Sequence, residues 1–213
     1  MRGRSGFTLL ELLIALALTG LLTWLGFAFL FPAVRASFRG AAQVGVQQEA
    51  VLSLVRLVQD LERTTAGGIS LSTSVDRVLL AVNRLEDVQG DATQLWELGF
   101  SVYAWDRSTG RLTRREWSAR DNPDPDPAAI GVTMGLGKPT RVTPEQLAAL
   151  AAPRGSLLAQ DVVRFEIRHQ GSSDLTLAGP LELEIELVRE DARSRAGPHK
   201  LCLQRTLALR SLR

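Results

Sequence analysis

Gly6-Phe7-Thr8-Leu9-Leu10-Glu11-Leu12-Leu13-Ile14-Ala15-Leu16-Ala17-Leu18 opens an apolar run that continues to Phe31. Phe7 to Phe31 is 25 residues with one charge, Glu11. As a helix it would measure about 37 Å, enough to cross a hydrocarbon core of roughly 30 Å. A membrane span is expected. Arg2 and Arg4 precede it and the bulk of the chain follows. That charge bias predicts a cytoplasmic N-terminus with the remainder outside. A conventional cleaved secretory signal fits poorly. Its apolar core is only about 7–15 residues long, and the A-x-A at Ala15-Leu16-Ala17 lies inside the run rather than after it.

Glu11 is the anomaly. A carboxylate deep in a bilayer costs about 2.5–3.5 kcal/mol on insertion scales, and less near the interface. Two readings stand: a tolerated interfacial glutamate, or a charge waiting for a partner.

Four features occur together here. A short basic leader ends in glycine, a phenylalanine follows, a glutamate stands four residues beyond it, and the apolar run is unbroken. In these features the chain resembles the type IV prepilin family of pilins and type II secretion pseudopilins. The resemblance is strong over about the first 60 residues and extends to the rest only in layout. It implies cleavage between Gly6 and Phe7 by a prepilin peptidase, with N-methylation of the new amino group on Phe7. It implies that Glu11 pairs with the Phe7 ammonium of its own or a neighbouring subunit. Pairing would offset part of the burial cost of both charges and favour one axial register. The implied partners are other pilins or pseudopilins through the helix, the peptidase/methyltransferase and an inner-membrane assembly platform. Length and late strands resemble the J-type pseudopilins and W-type minor pilins. Glu11 argues against the K-type tip subunit, which usually lacks it.

Past Phe31 the pattern stays helical. Pro32 removes one backbone hydrogen bond and predicts a kink, and Gly20 and Gly26 weaken the same stretch. The family often brackets a segment that melts on assembly with a glycine and a proline; a simple kink is the alternative. Val44, Val51, Leu54, Val55, Val58 and Leu61 recur at three- and four-residue steps, an apolar stripe expected to lie against a sheet of the same chain. Gly67-Gly68 reads as the C-cap, ending the helix near Thr65.

The remainder reads as strands. Trp96 to Ala104 alternates, Asp106–Gly110 is a turn, and Arg111–Trp117 returns as a hairpin partner. Val75–Val82, Val163–His169, Leu181–Leu187 and Leu201–Leu209 are further strands, expected to be apolar toward the helix and polar outside. The acidic residues of 182–186 are candidates to pair with Arg205 and Arg210. Between Ser118 and Gln160 lies an irregular stretch holding Asp121–Pro127 and one short helix, for which Thr143-Pro144-Glu145-Gln146 is a capping-box start. A loop of that length is usually functional or mobile. The expected fold is α+β: leader 1–6, assembly half of the helix 7–33, amphipathic half 34–66, and an antiparallel head 67–213.

Composition narrows function. Charged residues are 23% and apolar residues 45%, which excludes a wholly disordered chain. The net charge is +2, and Arg2 and Arg4 account for it, so a generally basic nucleic-acid binder is not expected. Cys202 stands alone, so no intramolecular disulfide forms. No H-E-x-x-H or G-x-S-x-G occurs, and Gly135–Thr140 lacks the first glycine of a phosphate loop. Asp121, Asp124 and Asp126 are a weak calcium candidate, without the glycine and distal glutamate of an EF-hand. His169 falls on the apolar face of its strand. Arg111, Arg114, Arg115 and Arg120 form a local basic cluster, read as exposed strand arginines or as a DNA contact. The leading expectation is a minor pilin or pseudopilin with no cofactor and no catalytic residues. It would be held in the inner membrane and then built into a pilus or pseudopilus for motility, DNA uptake or type II secretion. The competing readings are a pilus-tip adhesin or DNA receptor, and a signal-anchored extracytoplasmic enzyme or binding domain.

Overall fold

The computed structural model describes residues 8–90, 93–121, 123–135, 137–189 and 198–209, without the side chains of 39–43. The architecture is α+β, a long helix followed by antiparallel sheets. By its contacts the chain divides into two compact units, 1–45 and 46–213.

In the first unit the described residues are Thr8 and, from Leu9 on, helix α1, Leu9–Glu62, which runs through Gly20, Gly26 and Pro32. Leu9–Phe38 has a mean hydropathy of 2.2 and none of it is buried, so it is long and apolar enough to cross a membrane. Its hydroxyls are satisfied locally, as lipid demands: Thr19 donates to the Ala15 carbonyl at 2.7 Å and Thr23 to that of Thr19 at 2.7 Å.

The second unit begins with the last turns of α1. A 3₁₀ turn at Ala66–Gly68 leads into β1, Ile69–Thr73. Then come β2, Arg77–Val82; β3, Leu85–Val88; β4, Gln94–Trp96; β5, Gly99–Asp106; and β6, Arg111–Ser118. Short helices α2, Pro127–Ile130, and α3, Pro144–Ala151, precede β7, Ser156–Ala159. The chain closes with β8, Val162–Arg168; β9, Leu181–Arg189; and β10, His199–Leu207. A five-stranded sheet is ordered β1-β2-β5-β6-β7, a three-stranded sheet β10-β9-β8, and β3 pairs with β4.

Two cores result. Leu57 and Leu61 of α1 pack with Leu80, Tyr103 and Trp105 of the large sheet and Phe165 and Ile185 of the small one. The opposite face of the large sheet is also dry. Leu79, Ala81, Phe100, Val102 and Trp117 pack there against Val142, Leu147 and Leu150. The expectation of a polar outer face is therefore corrected for the five-stranded sheet, and much of 118–160 is its cover rather than a free loop. The unbroken apolar run Val78–Val82 is the signature of a strand buried on both faces. Asn83 ties the cover down, accepting from the Thr140 N–H at 3.0 Å while donating to the carbonyls of Glu97 and Gly99 at 2.8 and 2.9 Å. Arg141 also donates to the carbonyls of Ala66 and Leu175. The capping box at Thr143 and Gln146 forms as read.

Three details depart from expectation. The helix ends at Glu62, and Gly67-Gly68 is no left-handed cap. Gly68 is required by close approach instead. A Cβ there would lie 2.4 Å from the Thr64 hydroxyl and 2.8 Å from the Asn83 carbonyl. Gly68→Ala is expected to cost about 1–3 kcal/mol by overpacking. The urea midpoint of the full chain in detergent checks this, with Gly90→Ala, which meets nothing within 4 Å, as the silent control. A bulge in β8 puts Val162 in the core and leaves Val163 48% exposed. Arg205 stands opposite Leu183, on the face away from the acidic residues. Glu184 and Glu186 pair instead with Arg164, Arg168 and Lys200. Arg210 lies outside the described residues.

Candidate functional site

At the start of α1, Thr8 and Glu11 form a reciprocal pair. The Thr8 N–H and hydroxyl donate to Glu11 Oε2 at 2.9 and 3.0 Å, and the Glu11 N–H donates to Thr8 Oγ1 at 3.3 Å. This is a capping box, T-x-x-E, that satisfies orphan donors of the first helical turn. Glu11 thus has a local partner. Its signal in the sequence is the T-x-x-E spacing of Thr8 and Glu11. Gly6 and Phe7 lie outside the described residues. A cut between them would leave the Phe7–Thr8 amide, and therefore the box, intact.

The amphipathic stripe divides in two. Buried positions on α1 are Val46, Ala50, Ser53, Leu57, Asp60 and Leu61, with Leu54 and Val58 half-buried. Val44, Val51 and Val55 are 49%, 46% and 43% exposed, which corrects their expected place against the sheet. The buried line includes two polar residues, so hydrophobicity alone selects the wrong one. Ser53 is satisfied within the helix, donating to the Glu49 carbonyl at 2.6 Å.

Asp60 is the centre of a buried charge cluster, its side chain 8% exposed. The Tyr103 hydroxyl donates to Oδ2 at 2.6 Å, Arg114 Nη2 to the same oxygen at 3.0 Å, and Arg84 Nη1 to Oδ1 at 3.1 Å. Arg84 also reaches Glu97 at 2.7 Å, and Arg114 reaches Glu116 at 2.9 Å and the Ser101 hydroxyl at 3.1 Å. Burial alone would raise the Asp60 pKa. The Tyr103 hydrogen bond and the Arg114 charge outweigh it and hold the carboxyl below its ordinary value. Tyr103 is pushed well up, first by burial and then by the Asp60 charge. The cluster joins α1 to the β2–β3 connection through Arg84, to β5 through Tyr103 and to β6 through Arg114, all within the second unit. Its carboxylates and guanidiniums neutralise one another, and the neutral Tyr103 and Ser101 hydroxyls are engaged with them.

Strand alternation splits the arginine cluster. Arg114 turns inward to Asp60, while Arg115, on the opposite face, donates to the backbone carbonyl of Asp124 and, at 3.3 Å, to its carboxylate. Arg111 and Arg120 are exposed. A single four-arginine contact surface is thus not assembled. Nor are the aspartates gathered. Asp121 accepts from the Ser118 hydroxyl at 3.2 Å, Asp124 faces Arg115, and Asp126 caps α2 through the Ala128 N–H at 3.2 Å. Among the described residues no group of three or more metal-binding side chains occurs. His169 Nδ1 accepts from the Gly171 N–H at 3.1 Å and its Nε2 lies 3.7 Å from Asp174.

Residues 1–27 match the family model of the prokaryotic N-terminal methylation motif. No curated protein and no solved structure matches the chain.

Proposed function

The chain carries the N-terminal methylation motif of type IV prepilins, and from that premise we propose that it is a minor pilin or pseudopilin. Prepilin peptidase cuts it between Gly6 and Phe7, and Phe7 is N-methylated. The apolar helix holds it in the inner membrane with the head outside, and the same helix then packs among other subunits to prime or tip a filament. It is a structural subunit rather than an enzyme. The observation that carries this reading is the motif standing directly on a 30-residue apolar helix with no buried side chain. Such a surface needs lipid or other helices.

Glu11 has two successive roles in this reading. In the stored subunit its Oε2 closes the capping box with Thr8. In the filament its charge accepts the Phe7 ammonium of a neighbour, which favours one axial register. Glu11→Ala is expected to leave the N-terminal peptide beginning with methylated Phe7. The amount recovered in sheared filaments should fall about tenfold or more, the equivalent of roughly 1.4 kcal/mol per subunit. Mass spectrometry of the first peptide and immunoblotting of filaments read the two arms separately. Undiminished incorporation removes the register role. An intact Met1 in the native protein, with the peptidase present, removes the whole reading.

A further inference from the structure

Three arginines surround a groove that the filament reading does not use. We propose that this groove, between the outer face of β2, β5 and β6 and the C-terminal end of α3, binds an extended acidic peptide segment of a partner protein.

The groove encloses about 400 Å³, a size typical of binding clefts. Leu79 and Ala104 contribute to its floor and Ala148 of α3 to its wall. Arg77, Arg111 and Arg154 also line it. Asp106 is the one acid among the lining residues. It pairs with Arg77 at 3.3 Å and also accepts from the Ser108 and Thr109 N–H groups at 2.9 and 3.3 Å. Arg111 and Arg154 are exposed and have no ion-pair partner among the described residues. Three positive charges thus face one negative charge that is already engaged.

The chemistry favours an anionic partner. A guanidinium presents parallel N–H donors that match a carboxylate bidentately. In an extended peptide successive side chains point to opposite sides, so acidic residues can reach the arginines while apolar ones meet the half-buried Ala104 and the exposed Ala148. A nucleic-acid strand fits less well. Single strands need exposed aromatic faces for stacking. Trp105, the aromatic residue at this groove, is 2% exposed.

The inference goes beyond the filament reading and is tested without it. Full-length protein in detergent micelles is titrated into a fluorescein-labelled octapeptide of alternating aspartate and leucine, followed by anisotropy. Saturable binding is expected at low salt, weakening as salt rises. The matching asparagine–leucine peptide and the double variant Arg111→Gln/Arg154→Gln should each bind about tenfold or more weakly. Ala148→Glu, at an exposed wall position, should give a similar loss by repulsion, whereas Arg56→Gln/Arg120→Gln should not. No saturable binding, or binding unchanged in the first double variant and in Ala148→Glu, would overturn the proposal. So would an oligothymidylate that binds more tightly, displaces the peptide and is lost in the same variants.

Discussion

Asp60→Ala is expected to lower the stability of the folded head by about 3 kcal/mol, the lower end of the range for breaking a buried ion pair. Deletion strands two arginines whose side chains are each 17% exposed, and the Tyr103 hydroxyl loses its acceptor. The loss stays at the lower end because Arg84 keeps Glu97 and Arg114 keeps Glu116. Asp60→Asn retains an acceptor for Tyr103 but not the charge, and is expected to lose about half as much. Urea midpoints of the full chain in detergent, read by tryptophan fluorescence, check both. A pH dependence follows. The folded pKa of Asp60 lies below its unfolded value, which is near 3.9. Its contribution is therefore complete above that unfolded value and is lost as pH falls through the folded one. The wild type should show this acid-dependent loss and Asp60→Asn should lack it. Equal midpoints at neutral pH would mean that the arginines need no anion from α1.

Trp105→Ala is expected to cost about 3–5 kcal/mol, the range for emptying a buried aromatic site. Trp105 is 2% exposed within the first core, and its indole N–H donates to the Val162 carbonyl at 3.0 Å. It therefore ties β5 of the large sheet to β8 of the small one. Trp105→Phe separates the contributions. It keeps most of the apolar volume and loses the tie, and about 1–3 kcal/mol is expected if the Val162 carbonyl is left dry. A Phe variant as damaged as the Ala variant would place the effect in the hydrogen bond rather than in packing. The same urea series measures both.

Local chemistry made much of this architecture readable. Asp106–Gly110 announced its turn, and the structure uses Asp106 and a glycine at φ +61° there. Alternation located β8, β9 and β10 because one face of each strand carries polar or charged side chains. It gave no warning of β1. Ile69–Thr73 is only five residues long and directly follows two glycines. The stripe on α1 misled for a related reason. Asp60 occupies a buried position because Arg84, between β2 and β3, and Arg114, on β6, arrive from parts of the chain distant in sequence, and no local pattern encodes that meeting. Its trace in the sequence is an acid one helical turn beyond the buried Leu57, at a step where a leucine would be expected. The Thr8–Glu11 box is fully local: a hydroxyl and a carboxylate three residues apart at the head of an apolar run encode it.

The double-sided burial of β2 has a consequence for biogenesis. Leu79-Leu80-Ala81-Val82 has no soluble side, and the residues that cover one of its faces, Val142 to Leu150, are synthesised long after it. A short, uncharged, β-prone stretch left open is a nucleus for aggregation. During synthesis the growing chain carries this adhesive segment until both covers are made, residues 142–150 on one face and then Phe165 and residues 181–187 on the other, so its exposure ends only when the chain is nearly complete.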